Sequence, residues 1–391
     1  DYSFDGTVLG QHATVSDPVS GDQTWEKVVS KNLGLDLNMF NNRLSLTTDF
    51  YIRDTKGILG KGKSLPSIYG ASEPQMNANN LRTKGYELVL GWRDSFKLAG
   101  STFSYGITGT FSDYTAEYTK CDNPTGLIGD PYVGKKYGEI WGYKVDGLFR
   151  NDKEAAEYAS RIDLSTVASG YYTATGAYGK GVRGGDIKYL DLNGDNIVNG
   201  GKGTLDDPGD RRVIGNSSPR YQYGASLNFS WYGFDVSVFM QGIGRLDWYP
   251  GADNLRFWGP YCRPYATFVP KNFMSQVWSE ENPDAYFPRA RAYTSLNSNS
   301  GTAYYTNDRY LQNLAYCRLK NLTIGYTIPR RLTSKVGIKE CRIYFSGENL
   351  ATWSALKSDF LDPEQAAADS DKKANVYPWC KTYSIGLNLT F

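Results

Sequence analysis

Histidine is nearly missing from this chain of 391 residues, because His12 is the only one. This scarcity disfavours histidine-based catalysis and a histidine-rich metal centre, since both need imidazole groups. Charge of either sign is not in excess, with 43 Lys and Arg against 41 Asp and Glu, so nucleic acid is not an expected partner. The five cysteines are scattered without a CxxC spacing, which gives no zinc framework and no obvious disulfide scaffold.

Long hydrophobic runs are also missing, since no segment approaches the roughly 18 apolar residues of a membrane-spanning helix. That shortage does not exclude a membrane protein, because a closed β-barrel crosses the bilayer with strands that alternate apolar and polar residues. What the chain has in abundance is 31 Tyr, 17 Phe, 9 Trp and 42 Gly. This profile is typical of many strands joined by turns.

Several segments alternate large apolar residues with small or polar ones, as in YQYGASLNFSWYGFDVSVFMQG and in the last ten residues, TYSIGLNLTF. Successive side chains of a strand point to opposite faces, so each segment predicts a two-faced strand of about ten residues. The pattern predicts nine strands, near residues 32–40, 43–53, 82–93, 102–113, 219–231, 234–243, 314–328, 341–350 and 381–391.

The connections between these strands alternate between short and long, and the long ones cover residues 54–81, 114–218, 244–313 and 351–380. Short turns at one end and long loops at the other are typical of bacterial outer-membrane barrels, whose long loops are extracellular. The sequence therefore predicts an all-β, antiparallel transmembrane barrel with long extracellular loops. Single-chain barrels have even strand numbers, so nine strands indicate either missed strands or the C-terminal part of a larger barrel. The second interpretation is favoured.

A series of motifs between Thr24 and Phe391 resembles the SusC/RagA-type TonB-dependent transporters, in the order of that family. The motifs are TWEKVVSKNLGLDLNMFNNRLSLTTDFYIRDTKGIL, LRTKGYELVLGW, GDIKYLDLNGDNIVNG, GDRRVIGNSSPRYQYGASLNFSWYGFDVSVFMQG, YLQNLAYCRLKNLTIGYTIPRRL, RIYFSGENLATWS and DPE at 362–364. The resemblance implies part of a 22-stranded barrel that encloses a plug, with the plug lying outside this chain. It also implies residence in the outer membrane of a Bacteroidota-type bacterium.

The resemblance further implies uptake of oligosaccharides or peptides, with energy from the TonB system and a SusD-like surface lipoprotein as a lid. An enzymatic role and an organic cofactor are not expected. Two alternatives remain open from the residues: a soluble β-sandwich that binds or hydrolyses carbohydrate, and a non-transporting barrel for assembly or adhesion. Burial of the apolar strand faces would favour the sandwich.

A cation site is predicted in the segment DLNGDNIVN, where oxygen ligands at alternate positions of a tight turn can surround Ca²⁺ or Mg²⁺. The candidate ligands are the side chains of Asp191, Asn193, Asp195 and Asp210 and the backbone carbonyl of Ile197. Asp210 is nominated by the family resemblance of GDRRVIG, and Asp206 and Asp207 are rivals for its place. The alternative is an ion-free turn rich in Asx residues, and either would stiffen a loop rather than catalyse.

Aromatic residues in the long loops are candidates for contact with a substrate or with the lid, and packing within the loops is the alternative. The candidates are Trp141, Tyr143, Trp248, Tyr249, Phe257 and Trp258, with Tyr261 beside them. Trp92, Trp231, Tyr326 and Tyr383 occupy strand positions suited to the interfacial girdles of a barrel. The segment KEAAEYASR at 153–161 predicts a small surface helix within the longest loop.

The terminal strand resembles the signal that the barrel-insertion machinery reads in outer-membrane proteins. The residues assigned to that signal are Tyr383, Gly386, Leu389 and Phe391.

Overall fold

The structure is a computed structural model that describes residue 21 and residues 23–61, 74–173, 181–262, 269–291, 296, 301–358, 360–368, 377 and 379–391. Its strands are β1 (Lys27–Met39), β2 (Leu44–Lys61), β3 (Gln75–Leu98), β4 (Ser101–Lys120), β5 (Glu139–Tyr143), β6 (Val145–Leu148), β7 (Ile187–Tyr189), β8 (Arg211–Asn216), β9 (Arg220–Trp231), β10 (Phe234–Arg245), β11 (Asp247–Trp248), β12 (Gln312–Asn313), β13 (Tyr316–Thr327), β14 (Glu340–Ser354) and β15 (Thr382–Thr390). Its α-helices are α1 (Asp152–Ala159), α2 (Ser169–Thr173), α3 (Leu255–Trp258) and α4 (Arg330–Thr333), and 3₁₀ turns cover Gly259–Tyr261, Met274–Gln276 and Ser334–Val336.

Nine long strands form one sheet in the order β1-β2-β3-β4-β9-β10-β13-β14-β15, and every pair is antiparallel. They are the nine strands that the alternation predicts, so the fold class and the strand order along the chain are confirmed. Within the described residues, β1 and β15 lie at the two edges of the sheet. A sheet with an odd number of strands and two unpaired edges is the geometry expected for part of a barrel wall.

Cross-strand register shows that the two faces of the sheet differ in chemistry. One row of directly opposed residues, one from each strand, reads Met39, Leu44, Trp92, Ile107, Leu227, Val238, Leu322, Gly347 and Tyr383. A neighbouring row on the other face reads Asp36, Thr47, Val89, Thr110, Gly224, Gln241, Arg318 and Thr352. We name the first side the apolar face and the second the polar face.

The apolar face is not covered by protein. The side chains of Leu227, Phe229 and Leu387 are 37%, 43% and 58% exposed, although large apolar residues of a soluble sandwich would lie in its core. Similar exposure of large apolar residues recurs on strands from β1 to β15, whereas soluble monomers rarely present extended apolar surface. This arrangement is inconsistent with the β-sandwich alternative and matches a surface that lies against hydrocarbon.

Tight turns close the short-connection end of the sheet. Ala99 and Gly100 have φ of 47° and 84°, and Tyr232 and Gly233 have φ of 48° and 82°. Positive φ at both central residues is the type I′ geometry, which matches the twist of a two-residue hairpin. The predicted strand bounds leave the turn at 232–233 as observed, whereas the predicted connection at 94–101 shortens to Ala99 and Gly100 because β3 continues to Leu98.

The predicted connection at 54–81 is wrong for most of its length. β2 continues to Lys61 and β3 begins at Gln75, so the connection covers only residues 62–74, most of which lie outside the described residues. β4 likewise extends to Lys120, and the longest connection therefore covers 121–219 instead of 114–218. The alternation is lost in these extensions, where the register shifts between Lys56 and Leu59 and between Asn80 and Leu81, yet the backbone ladder continues.

The other two long connections cover 246–315 and 355–381, close to their predicted bounds. Successive antiparallel strands place all long connections at the same end of the sheet. Small strand pairs organise two of the long connections: β5 with β8 and β6 with β7 lie in 121–219, and β11 with β12 lies in 246–315. The predicted surface helix is present as α1, capped at its start by the Asn151 side chain, which accepts from the Glu154 N–H.

The dry core of the chain lies in these connections rather than in the sheet. Buried apolar residues from 143–198, 248–314 and 361–366 form one cluster. Among its largest fully buried side chains are Trp258, Tyr171, Tyr189 and Tyr310. We name the described residues of 121–219, 246–315 and 355–381 the loop assembly.

No helix among the described residues has the length and apolar character needed to cross a membrane.

Candidate functional site

The first two connections of the loop assembly are joined through a buried polar centre. The Asn307 side chain is fully buried, and its Nδ2 donates to the hydroxyl of Tyr249 at 3.0 Å. The Tyr249 hydroxyl donates in turn to the Ala303 carbonyl at 3.1 Å, and the Tyr189 hydroxyl donates to the Thr302 carbonyl at 2.5 Å. Buried polar groups that are satisfied in this way fix one arrangement, because any other arrangement leaves them unpaired.

A buried ion pair makes a second link between these connections. Arg291 donates from Nη2 to Oδ2 of Asp186 at 2.6 Å, and both side chains are almost completely buried. The Arg291 guanidinium also lies over the ring of Tyr171, at 4.2 Å from its centroid. Sequence reasoning missed this pair, because its members are 105 positions apart and only Asp186 lies in a motif, whereas Arg291 belongs to none.

The structure buries most of the loop aromatics that were candidates for substrate or lid contact. Tyr143, Trp248, Tyr249, Phe257 and Trp258 all belong to the dry core, whereas Trp141 is half-buried. Burial raises the pKa of the Tyr143 phenol to about 12, so this hydroxyl stays neutral at physiological pH. These positions correspond to the packing alternative, because a ring enclosed by its neighbours presents no face to a ligand. Phe257 differs in that it also lines a cavity.

The third connection is held to the polar face of the sheet by an ion-pair network that we name the DPE clasp. Arg318 of β13 donates from Nη2 to both carboxylate oxygens of Asp362, at 2.8 and 2.7 Å, and from Nη1 to Glu364 at 2.7 Å. Lys320 donates to both oxygens of Glu364, at 2.7 and 2.8 Å. The Arg318 side chain is 2% exposed and also donates to Thr352 of β14 at 2.9 Å.

Sequence reasoning found the DPE motif and missed its partners. The available signal was the pair of cations at Arg318 and Lys320, on the polar side of a strand that otherwise alternates regularly. A fixed planar guanidinium suits two carboxylates at once, which explains arginine at the buried position and lysine at the outer one.

The predicted cation segment folds as a tight turn whose side-chain oxygens accept hydrogen bonds from its own backbone. Asp191 accepts from the N–H of Gly194 at 2.7 Å and of Asn196 at 2.9 Å. Asp195 accepts from the N–H of Ile197 at 2.8 Å. Among the described residues, no group of three or more His, Cys, Asp or Glu side chains is placed to hold a metal ion. The cation site stays a prediction, and the Asx-rich turn is the geometry observed.

Asp210 is the buried anchor of this turn. Its Oδ1 accepts from the N–H of Leu192 at 2.7 Å and of Asn193 at 3.3 Å, and its Oδ2 accepts from the N–H of Asn199 at 2.9 Å. The side chain is fully buried. The structure thus brings Asp210 to the turn, as the motif resemblance predicts. Its rivals Asp206 and Asp207 do not make these contacts in the described structure.

The terminal strand β15 carries its apolar side chains outward. Tyr383, Leu389 and Phe391 are 62%, 41% and 73% exposed. Gly386 lies on the opposite side, where the Tyr344 ring of β14 crosses directly over it and leaves no room for a Cβ atom. The register therefore requires glycine there. Recognition of this strand by the insertion machinery stays a prediction.

No protein-family model matches the chain. Among curated proteins it is similar to TonB-dependent receptor P3 of Formosa agariphila, with 25% identity over 100% of this chain and 36% of that protein. TonB-dependent receptor P26 of the same organism is 26% identical over 97% of this chain and 36% of its own length. TonB-dependent receptor SusC of Bacteroides thetaiotaomicron is 22% identical over 94% and 32%. The chain therefore spans about a third of the length of these relatives.

Among solved structures the chain resembles the RagAB peptide transporter, with a TM-score of 0.64 and 21% identity over 100% of this chain and 38% of that one. The RagAB peptide importer in its closed-closed state gives a TM-score of 0.63 and 20% identity. At sequence identities this low, the structural similarity establishes the fold alone.

The two-faced antiparallel sheet and its one-sided loops, together with these similarities, resemble part of the barrel of TonB-dependent receptors. More particularly, the chain is similar in sequence to SusC and in fold to the RagAB transporter, which confirms the resemblance to the SusC/RagA type seen in its motifs.

Proposed function

We propose that this chain forms part of the barrel wall of an outer-membrane importer. The observation that carries the proposal is the register, which sorts apolar and polar side chains to opposite faces across nine strands. An uncovered apolar face is stable against hydrocarbon, and a polar face is stable against a water-filled lumen. Trp92, Trp231, Tyr326 and Tyr383 would then reach the bilayer interfaces.

The polar face is also the side on which the DPE clasp holds the third connection. A loop fixed there lies over the lumen rather than in the lipid. We propose that the loop assembly forms the outer mouth of the transport path, with no catalytic role. Its cross-linked core would keep that mouth in one shape while substrate passes.

We further propose that the imported substrate is an oligosaccharide or a peptide, that TonB supplies the energy, and that a SusD-like surface lipoprotein covers the mouth. The support is the similarity to SusC and to a structure described as a peptide transporter. Because the chain spans about a third of its relatives, the TonB contact would lie in sequence beyond it.

The face assignment is tested by cysteine labelling of the full-length protein in cells. Leu227→Cys and Ser226→Cys place a thiol on adjacent residues of β9 that point to opposite faces. A membrane-impermeant maleimide is expected to label the Ser226→Cys protein at least about tenfold faster, because lipid shields the other thiol. The unsubstituted protein gives the background from its own cysteines. Equal labelling, or faster labelling at 227, would contradict the proposal.

We also propose that the turn at 191–199 binds Ca²⁺ and is stiffened by it. Backbone N–H groups occupy one side of each carboxylate oxygen, and a second lone pair is left for a cation, as in calcium loops that use alternate oxygens. About 1 mM Ca²⁺, in the range of extracellular modules, is expected to slow hydrogen exchange across the turn. Asp195→Asn should weaken that response, and Asp206→Asn should not. If hydrogen exchange does not change with Ca²⁺, the proposal is wrong and the segment is an ion-free Asx-rich turn.

A further inference from the structure

The loop assembly contains a cavity of about 420 Å³ that no sequence motif predicts. It lies between residues 255–259, 270–276 and 286–287 of the second connection and residues 356–358 and 360 of the third. Pockets for small ligands have volumes of roughly 300–1,000 Å³ and are mostly apolar with a few polar groups. The cavity is partly open, so a ligand has a way in.

Aromatic rings form one wall of the cavity. Phe257, Phe273 and Phe287 line the cavity, and each of these residues is at most 7% exposed. The rings of Phe273 and Phe287 lie 5.5 Å apart at an angle of 33°. Phe360 lines the opposite side and is 40% exposed. A flat apolar group entering between these sides would contact the parts of these rings that border the cavity.

The charged side chains among the described lining residues are of one sign. Arg256 and Lys357 both line the cavity, and no aspartate or glutamate is among the described residues that line it. The Lys357 ammonium lies 4.9 Å from the centroid of the Tyr286 ring, which also lines the cavity. Burial raises the pKa of the Tyr286 phenol to about 12, so this ring stays neutral and does not cancel the positive charge. The cavity therefore favours an anion.

The cationic side of the cavity is held in place by the surrounding structure. The Lys357 N–H donates to Oε1 of Gln312 at 3.3 Å, and the Ser358 hydroxyl donates to the Arg256 carbonyl at 3.4 Å. A few residues further on, the DPE clasp fixes the same connection to β13. Such support lowers the ordering cost of binding, because the wall exists before the ligand arrives.

We propose that this cavity binds a carboxylate-bearing unit of the substrate that also has a flat apolar face. A uronic acid residue of an oligosaccharide and the C-terminal residue of a peptide with an aromatic side chain share this chemistry. The carboxylate pairs with Lys357 and Arg256, and the flat face lies on the phenylalanine wall. This inference rests on the proposed import function and specifies the substrate that it favours.

The test uses the full-length protein purified in detergent, with binding followed by calorimetry. The sugar arm compares trigalacturonate with the neutral maltotriose, and the peptide arm compares N-acetyl-phenylalanine with its uncharged amide. In at least one arm the carboxylate probe is expected to bind about tenfold or more tightly than its neutral match. Lys357→Gln and Arg256→Gln should each remove most of that preference, and Lys357→Arg should restore it. Lys153→Gln, on the exposed side of α1, is the matched control.

Preference in the sugar arm alone assigns an acidic oligosaccharide, and preference in the peptide arm alone assigns a peptide. No preference in either arm overturns the inference, as does a preference that survives Lys357→Gln and Arg256→Gln combined. Hydrogen exchange across 255–287 shows whether each variant keeps its fold. If the Lys357→Gln protein does not keep its fold, the carboxylate preference of the Lys357→Arg protein decides whether the inference holds. The maleimide labelling of residues 226 and 227 does not depend on this cavity, so the two proposals fail separately.

Discussion

Replacing Arg318 by methionine is expected to release the third connection from the sheet. The substitution leaves the Asp362 and Glu364 carboxylates without their guanidinium in a site that is 11% and 21% exposed. Removing one partner of a buried ion pair costs about 3–5 kcal/mol, because the remaining charge is desolvated and unpaired. Partial solvent access at the carboxylates reduces that cost, and about 2–3 kcal/mol is the expected loss.

Hydrogen exchange of residues 360–368 measures this effect. A loss of 2–3 kcal/mol corresponds to roughly 30- to 150-fold faster exchange there, since every 1.4 kcal/mol is tenfold. Arg342→Met is the matched control, because Arg342 makes a similar two-bonded pair with Asp235 on the same sheet but closer to water. It should cost no more than about 1 kcal/mol.

A further variant separates the charge from the packing of Arg318. Arg318→Met combined with Asp362→Asn removes the carboxylate that has lost its cation, whereas Glu364 keeps Lys320, so this double variant should exchange more slowly than Arg318→Met alone. If Arg318→Met leaves exchange at 360–368 unchanged, the clasp does not hold the connection.

Replacing Asp210 by asparagine, a side chain of nearly the same shape, is expected to loosen the turn at 191–199. The carboxylate accepts from three backbone N–H groups, whereas an amide presents one acceptor oxygen and one NH₂ donor. One side of the site therefore brings donor against donor in a fully buried position. A lost charge-assisted bond and an unsatisfied buried group together cost about 2–4 kcal/mol.

The measurement is hydrogen exchange at residues 192, 193 and 199 in buffer with a chelator, which removes any contribution from Ca²⁺. Faster exchange at these three amides, by about 30-fold or more, is the expected result. Asp206→Asn changes the same functional group in an exposed neighbour and should leave exchange as it is. Unchanged protection in the Asp210 variant would show that the turn is held by its own Asx bonds.

The strands were predictable because alternation is a local signal. Leu227 and Ser226 must face opposite ways whatever lies elsewhere in the chain, and the structure has them so. The extensions of β2 to β4 were not predictable, since the alternation is lost there while the backbone ladder continues. Helix α1 was predictable for the same reason as the strands, because its propensity and cap lie within a few residues.

The loop assembly was harder to predict because its contacts are long-range. Trp258 and Tyr310 are 52 positions apart in sequence, yet their rings meet at 5.1 Å in the core. Composition alone cannot distinguish an aromatic residue packed in the core from one that binds a sugar. The DPE motif and Asp210 were found through family resemblance, whereas Arg318, Arg291 and Lys357 became visible only when the connections were placed together.

The shared core of the three connections restricts how the mouth of such a barrel can open. For the first connection to swing away by itself, the buried rings of Tyr171 and Tyr189, which contact Arg291 and Thr302 of the second connection, would enter water. Each ring costs about 1.5–3 kcal/mol to expose, before the broken ion pair of Asp186 and Arg291 is included. Independent movement of one connection is therefore costly, and the loop assembly is expected to move as one unit.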